Sequence, residues 1–530
     1  MSKTEVSIKL RQLYCISFIE GGVVMVTELA GAKLLTPFFG ASLYSWASTL
    51  SITLLALMAG YYFGGYVTTK PRFSSSDKIV WVFLLSGLLV LLMPFLGHFI
   101  MQRTISFSFF VGLVLSQLFF LFFPIFLMGM ISPMIIFQVT KKAELSGRSA
   151  GNIYAISTSG GILFTMIFGF VIIPDYGISM PVKLLGLAVC ALALIFLLKE
   201  KLTVKKVPLA LALILITAAV SFNQASPGSF SPLAKTTMLN YSEGLLGELK
   251  VMDQVGFSPN GEPVTIRKLK VNNIQQNYVF TKMPTQSLLY YVNFTKQLVK
   301  FAPRKQTGLL IGLGAGSLFK ILYDQGIQVE TVEIDRRIYD IGIKYFEMPE
   351  HFCTITDGRY FINVTKKKYD LIILDVIIGE SVPGQLITLE SFKRLGELLN
   401  PGGTLIIEHG GVNSFAGNAF VPSIAKTLNA AGFQVSIFNP LLSDQFGDVM
   451  FMATKEKFDV SKYTVQPDVL IKAGPLSSYV LSLDNFDTAD AVVLTDDNNK
   501  IDMLLKSHYL EVRKGIRKEL AKMKSTSGNF

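Results

Sequence analysis

The sequence predicts a multi-span α-helical membrane domain, then an α/β domain on a parallel sheet with a small β-rich region in front of it. Three observations carry this. Half of the 530 residues are hydrophobic, only 16% are charged and mean hydropathy is +0.46, whereas a globular chain carries about 25% charge. The apolar residues gather before residue 222 in runs of membrane-spanning length. Beyond residue 303, short apolar runs alternate with helical stretches, and one run opens into a glycine-rich turn.

Seven apolar runs occupy the first half: 13–35, 43–67, 79–100, 107–139, 153–173, 181–198 and 207–222. A spanning helix needs about 17–25 residues. The fourth run is too long for one straight span and contains Pro124 and Pro133, so a kinked or partly re-entrant helix is expected there. The seventh is short for a span. The first run carries Glu20 and Glu28 and is followed by further runs, which does not fit a cleavable signal peptide.

The formal net charge of +11 suggests a nucleic-acid binder until it is divided by position. Residues 1–222 hold 16 Lys and Arg against 7 Asp and Glu; residues 223–530 hold 33 against 31. The excess therefore lies between apolar runs, and it alternates. Thirteen cations, among them Arg11, Lys78, Lys142 and Arg148, fall on one side, against Lys33, Arg103 and Lys183 on the other. The positive-inside rule puts the N-terminus in the cytoplasm. With the second half nearly neutral, no nucleic-acid partner is expected. The lipid bilayer is the expected surroundings, as a multi-pass protein of a bacterial inner membrane.

Glu20 and Glu28 lie eight residues apart, near one helical face. A carboxylate at membrane depth is costly and faces a protein interior or a water-filled cavity. Two readings stay open: a polar or proton-linked site, or structural acids paired inside the bundle, with Lys33 as a partner. Gly60, Gly64, Gly160 and Gly161 read as close helix packing. Cys15, Cys190 and Cys353 cannot form a disulfide framework, and no Cys/His cluster has metal-ligand spacing, so no metal is expected.

Residues 1–222 thus form the membrane domain and 223–239, rich in Pro, Gly and Ser, a linker. Residues 240–300 form a β-rich region of short strands with a turn at Pro259-Asn260-Gly261. Residues 301–500 form the α/β domain, with strands at 307–311, 328–332, 369–374 and 404–407, and 501–530 a basic helix or tail. The strands are continuous apolar runs, as in a parallel sheet covered on both faces.

The chemistry gathers at strand ends. The first α/β strand runs into Gly312-Leu313-Gly314-Ala315-Gly316-Ser317, where glycines let the backbone turn tightly and approach a ligand. Glu333 closes the next strand, placed to accept hydrogen bonds from ribose hydroxyls. Asp357-Gly358 follows the third, where an acid can accept a bond from an adenine amino group. Asp375 closes the fourth, while Asp370 reads as a cap at that strand's start. In this order the elements point to a nucleoside-binding domain of the methyltransferase type.

At these residues the chain resembles the spermidine synthase (polyamine aminopropyltransferase) family, within the class I S-adenosylmethionine-dependent, Rossmann-like fold. The membrane half resembles bacterial proteins in which a multi-span segment precedes that domain, through 28–40 (ELAGAKLLTPFFG), Tyr44-Ser45-Trp46-Ala47-Ser48, 60–65 (GYYFGG) and 151–158 (GNIYAIST). The resemblance implies a nucleoside site of Gly312, Gly314, Gly316, Glu333, Asp357 and Gly358, with Gln276 near the donor after the N-terminal strands. It implies Asp375 as the acid that orients or deprotonates the amine. It also implies a gate loop at 382–388 and a closing motif at Thr495-Asp496-Asp497. Two family features depart. Its Asp-x-x-Asp motif has Ile378 in the second acid position, and its Tyr-His-Glu box has no clear match around Tyr290-Tyr291-Val292.

Three functions stay open. One is aminopropyl transfer from decarboxylated S-adenosylmethionine to putrescine or another small amine. Another is transfer from S-adenosylmethionine, as methyl, to an amphiphilic, membrane-associated substrate. The third is a nucleoside- or polyamine-binding sensor or transporter without turnover. A homodimer stays open as the assembly. Seven full spans would put the α/β domain outside the cytoplasm, whereas both donors are cytosolic; donor availability tilts the expectation to the cytoplasmic side.

Overall fold

The computed structural model describes residues 10–69, 76–104, 107–140, 142–199, 207–222, 236–244, 246–257, 262–376, 382–412, 418–443, 447–468 and 470–505. Ile378, the linker before Thr236, the turn at Pro259-Asn260-Gly261 and the basic tail lie outside those residues. The chain divides into two compact units: residues 1–229 with 242–248, and residues 230–241 with 249–530.

The first unit is helical. Its helices are α1 (Leu10–Phe39), α2 (Leu43–Thr68), α3 (Ser76–Thr104), α4 (Phe109–Phe120), α5 (Phe122–Val139), α6 (Ser146–Ile167), α7 (Ile173–Tyr176), α8 (Ser179–Lys199) and α9 (Val207–Phe222). A π-helical turn, Phe168–Ile172, joins α6 to α7. Among the described residues, six helices are long and apolar enough to cross a membrane; Phe109–Phe120 and Val207–Phe222 are shorter. The long fourth run breaks at Leu121 into α4 and α5. Pro124 supplies the reason: without an N–H it cannot bond back to Phe120, and its ring crowds that carbonyl.

Glycines set how closely these helices approach. A Cβ on Gly21 would fall 1.9 Å from the Ser157 carbonyl oxygen, and one on Gly160 1.8 Å from that of Phe18. Helices α1 and α6 therefore meet backbone to backbone. Gly60 and Gly64 give α2 the same approach to α5, at the carbonyls of Phe126 and Met130. This is the small-residue packing expected of helices in lipid. Glu20 lies buried in this interior and accepts hydrogen bonds from Ser157 Oγ at 2.9 Å and Ser132 Oγ at 3.2 Å. Lys33 is not the partner of Glu20, since thirteen residues along one continuous helix separate the two by ~20 Å. Glu28, one face down the same helix, is half-buried.

A sheet in chain order follows, β1 (Thr236–Gly244), β2 (Gly247–Phe257), β3 (Pro263–Val271), β4 (Ile274–Phe280) and β5 (Met283–Ser287), all of it in the second unit except residues 242–248. These strands run to 11 residues rather than the short ones expected, and β1 starts inside the stretch read as linker. Helix α10 (Tyr290–Phe301) leads to a second sheet. Its elements are β6 (Thr307–Ile311), α11 (Ser317–Asp324), β7 (Gln328–Glu333), α12 (Arg336–Phe346), β8 (Cys353–Ile355), α13 (Gly358–Val364), β9 (Tyr369–Leu374), α14 (Leu389–Leu398), β10 (Leu399–Val412), α15 (Phe420–Ala430), β11 (Gln434–Phe438) and β12 (Gly447–Thr454).

The strand order is β11-β12-β10-β9-β6-β7-β8. Strands β10, β9, β6, β7 and β8 are parallel, but β12 runs antiparallel between β10 and β11. The sheet is thus mixed rather than wholly parallel. No helix joins β11 to β12, and without a crossover a strand returns antiparallel. Alternate residues feed two cores. Leu309, Ile372, Leu374, Leu405 and Ile407 pack on one face, and Leu310, Leu371, Ile373 and Ile406 on the other, with Phe294 and Leu298 of α10. The topology is that of a Rossmann-like class I methyltransferase fold.

Candidate active site

The site forms where β6, β7, β9 and β10 end. Gly312, Gly314 and Gly316 all have positive φ, at 86°, 53° and 83°. The reasons for glycine differ along the turn. A Cβ on Gly312 would fall 1.8 Å from the carbonyl oxygen of Asp375, whereas one on Gly314 meets nothing within 4 Å. Gly312 is therefore glycine because β9 abuts it, and Gly314 borders open space, as a backbone cradle for a ligand requires.

Glu333 closes β7 with its carboxylate fixed by the backbone. Oε2 accepts from the N–H of Leu313 at 2.9 Å and Oε1 from that of Asp335 at 2.9 Å. Burial lifts its pKa to about 7 despite the opposing pull of those N–H groups. The carboxylate is thereby tied to the glycine turn itself, which suits a ribose held between them. Asp357 caps α13, its Oδ1 accepting from Tyr360 N–H at 2.9 Å. Gly358 stands beside Ile311, where a Cβ would meet Cγ2 at 2.7 Å. Asp335 caps α12 and pairs with Arg337. Asp370 has the structural part expected, accepting from the N–H groups of Gln306 and Thr307 and from Asn400 Nδ2.

Gln276 sits inside β4 rather than after the strands. Gln275 faces Lys270 and Asn277 faces Leu269, which leaves Gln276 as the extra residue of a β-bulge. Its neighbour Asn277 is buried and joins the small sheet to the glycine turn: Nδ2 donates to Ser317 Oγ at 2.7 Å, and Oδ1 accepts from Ser287 Oγ at 2.7 Å.

Asp375 follows β9 directly, its N–H donating to Ile311 O at 2.9 Å. Burial raises its pKa to about 6, opposed by hydrogen bonds from Tyr291 and Glu408. Tyr291 OH lies 3.3 Å from Asp375 Oδ2. Glu408, in β10, is buried, and its pKa lies well above the usual carboxylate range, first through burial, then through repulsion by Asp375 and Asp448. The two acids bias each other in opposite senses: Glu408 is held towards its protonated form, and its hydrogen bond to Asp375 favours the ionised form there. Sequence reading missed Glu408, Tyr291 and Asn277. The structure supplies what the sequence lacks for Glu408: Ile407 pairs with Leu374 in parallel register, so the next residues, Glu408 and Asp375, emerge side by side.

The 382–388 loop and the 495–499 segment meet. Arg359 donates to Asp496 Oδ2 at 2.6 Å and to Gln385 O at 2.9 Å, Thr388 Oγ1 donates to Asp496 Oδ1 at 2.7 Å, and Asn499 Nδ2 donates to Gly384 O at 2.9 Å. The 495–499 segment thus straps the 382–388 loop to α13.

No family profile matches the chain. The chain is 34% identical over 125 residues to the polyamine aminopropyltransferase of Vibrio vulnificus, covering 22% of this chain and 42% of that protein. It is 32% identical over 109 residues to a probable polyamine aminopropyl transferase of Bifidobacterium longum, covering 20% and 24%. It is 30% identical over 165 residues to an N-terminal histidine N-methyltransferase of Emericella nidulans, covering 29% and 30%. These matches span between about a quarter and two-fifths of the relatives' own length. A solved structure of a probable spermidine synthase from Corynebacterium glutamicum superposes with a TM-score of 0.35 at 16% identity, over 44% of this chain and 84% of that one. The chain is spermidine-synthase-like in sequence, with apolar helices preceding that part.

Proposed function

We propose that the α/β unit transfers an aminopropyl group from decarboxylated S-adenosylmethionine to a small amine such as putrescine. The observation that carries this reading is Asp375: a half-buried acid at the end of a central strand, abutting the glycine turn that Glu333 anchors. The names of the aminopropyltransferase relatives support it.

The residues divide the work. The turn at Gly312–Gly316 and Glu333 hold the donor's ribose, and Asp357 with Gly358 its adenine side, with Gln276 nearby. The donor, a substrate here, supplies a sulfonium whose propyl carbon is open to attack. The amine lone pair forms the new C–N bond as the C–S bond breaks, its electrons staying on sulfur to give methylthioadenosine. The amine must be neutral to attack, and an acid of pKa about 6 is ionised at pH 7 and can take its proton. No metal is needed for this displacement. The protein acts at a membrane, with the α/β unit on the cytoplasmic side where the donor is made; a C-terminal reporter active on one side only tests that placement.

A second reading is methyl transfer from S-adenosylmethionine to an amphiphilic acceptor, favoured by Ile378 where the second acid is expected. Full-length protein in detergent with labelled decarboxylated S-adenosylmethionine and putrescine is expected to release methylthioadenosine, and Asp375→Asn to stop release while still binding methylthioadenosine. Nucleoside binding without any release in the parent protein would overturn aminopropyl transfer.

A further inference from the structure

Glu408 is a buried ionisable group that the reaction above does not use. It lies next to Asp375 through the β9–β10 register, and both side chains fall on the face that carries Ile373, Ile406 and α10. Met450 of β12 belongs to that same face, and Asp448 lies two residues before it. Tyr291 completes the group from α10. Three carboxyl groups and a phenol therefore surround one place, and each perturbation of Asp375 and Glu408 comes from burial or from these acids and the phenol, none from a cation.

Glu408 also carries an open valence. It is 5% exposed, yet its Oε1 is buried with no hydrogen-bond partner among the described residues. A buried polar atom left unsatisfied costs about 1–3 kcal/mol, and a buried acid crowded by like-signed groups costs more unless an opposite charge completes the cluster. An ammonium group answers both, because it offers three N–H donors and a positive charge.

Resting on the aminopropyl-transfer reading, we propose that Glu408 and Asp375 together bind the acceptor's ammonium group, with Glu408 as the second acid that Ile378 cannot supply. The acceptor is then a cationic primary amine, and an uncharged or anionic amphiphile is excluded. The cation favours the ionised form of both acids, and a proton on Glu408 passes to solvent as it binds, so two carboxylates face the cation. Asp375 then accepts one ammonium proton, which frees the lone pair for attack.

Full-length protein in detergent, with Glu408→Gln and Glu408→Asp beside it, tests the assignment by steady-state methylthioadenosine release and by calorimetric binding of methylthioadenosine. Glu408→Gln is expected to raise the KM for putrescine at least tenfold with methylthioadenosine affinity within twofold of the parent, and Glu408→Asp to recover part of the loss. An unchanged putrescine KM in Glu408→Gln, with the parent active, overturns the role of Glu408 alone. A parent protein that binds methylthioadenosine but releases none from the decarboxylated donor overturns the reaction and this inference with it. Loss of methylthioadenosine affinity equal to the KM change would show a structural role and also overturn the assignment.

Discussion

Alanine at Gly312 and at Gly314 should fail in opposite ways. Both positions have positive φ, which costs a non-glycine residue about 1–2 kcal/mol. At Gly312 the new Cβ would also overlap the Asp375 carbonyl at 1.8 Å. That neighbour is backbone in a central strand, so relief requires moving β9 away from β6, an overpacking cost of roughly 1–3 kcal/mol. The sum is ~2–5 kcal/mol for Gly312→Ala and about 1–2 kcal/mol for Gly314→Ala, whose Cβ enters open space. Hydrogen exchange read by mass spectrometry suits a chain of two units, because it reports local opening without a two-state assumption. Peptides covering β6 and β9 should exchange roughly 30- to 5,000-fold faster in Gly312→Ala and about 5- to 30-fold faster in Gly314→Ala. Methylthioadenosine affinity should nonetheless fall more per unit of exchange in Gly314→Ala, because its methyl occupies the ligand's approach. Equal exchange in the two variants, or full affinity in Gly314→Ala, would refute the reasoning.

Three further outcomes follow from the same geometry. The kcat/KM for transfer should climb with pH through a limb near pH 6 as Asp375 ionises, and a profile flat from pH 5 to 7.5 would contradict its part as proton acceptor. Glu333 has a folded pKa of about 7 against an unfolded value near 4.3, so the folded unit binds its proton more tightly. Its contribution to stability is present in full below about pH 4 and is lost as pH rises towards 7, on the order of 3–4 kcal/mol; Glu333→Gln should flatten that slope in exchange rates corrected for intrinsic chemistry. Asp496→Ala removes the partner of both Arg359 and Thr388, so peptides over 382–388 should exchange faster while those over β6 stay unchanged, and no change in the loop would sink the strap.

Much of the fold was legible because its signals are local. The apolar runs, Pro124 and the glycine turn each act within a few residues, and the structure follows them. The antiparallel β12 was not legible, because its direction is set by a missing crossover helix rather than by its own residues. The same contrast runs through the site. Gly312, Glu333, Asp357 and Asp375 announce themselves at strand ends, and the first, second and fourth do come together. Glu408 stayed hidden because a lone acid after Ile407 gains meaning only from its pairing neighbour in β9. Tyr291 was hidden because no local pattern marks it, since it reaches Asp375 across 84 positions of chain. Glu20 was visible as a costly acid, but its partners, Ser132 and Ser157, lie on helices that only the packing of α1 against α5 and α6 selects.

The most direct test is the identity of the nucleoside product. Full-length protein should be supplied with putrescine and equal concentrations of S-adenosylmethionine and its decarboxylated form, and the products separated by mass spectrometry. Aminopropyl transfer predicts methylthioadenosine together with spermidine in equal amounts. S-adenosylhomocysteine with a methylated acceptor, and no methylthioadenosine, would contradict it.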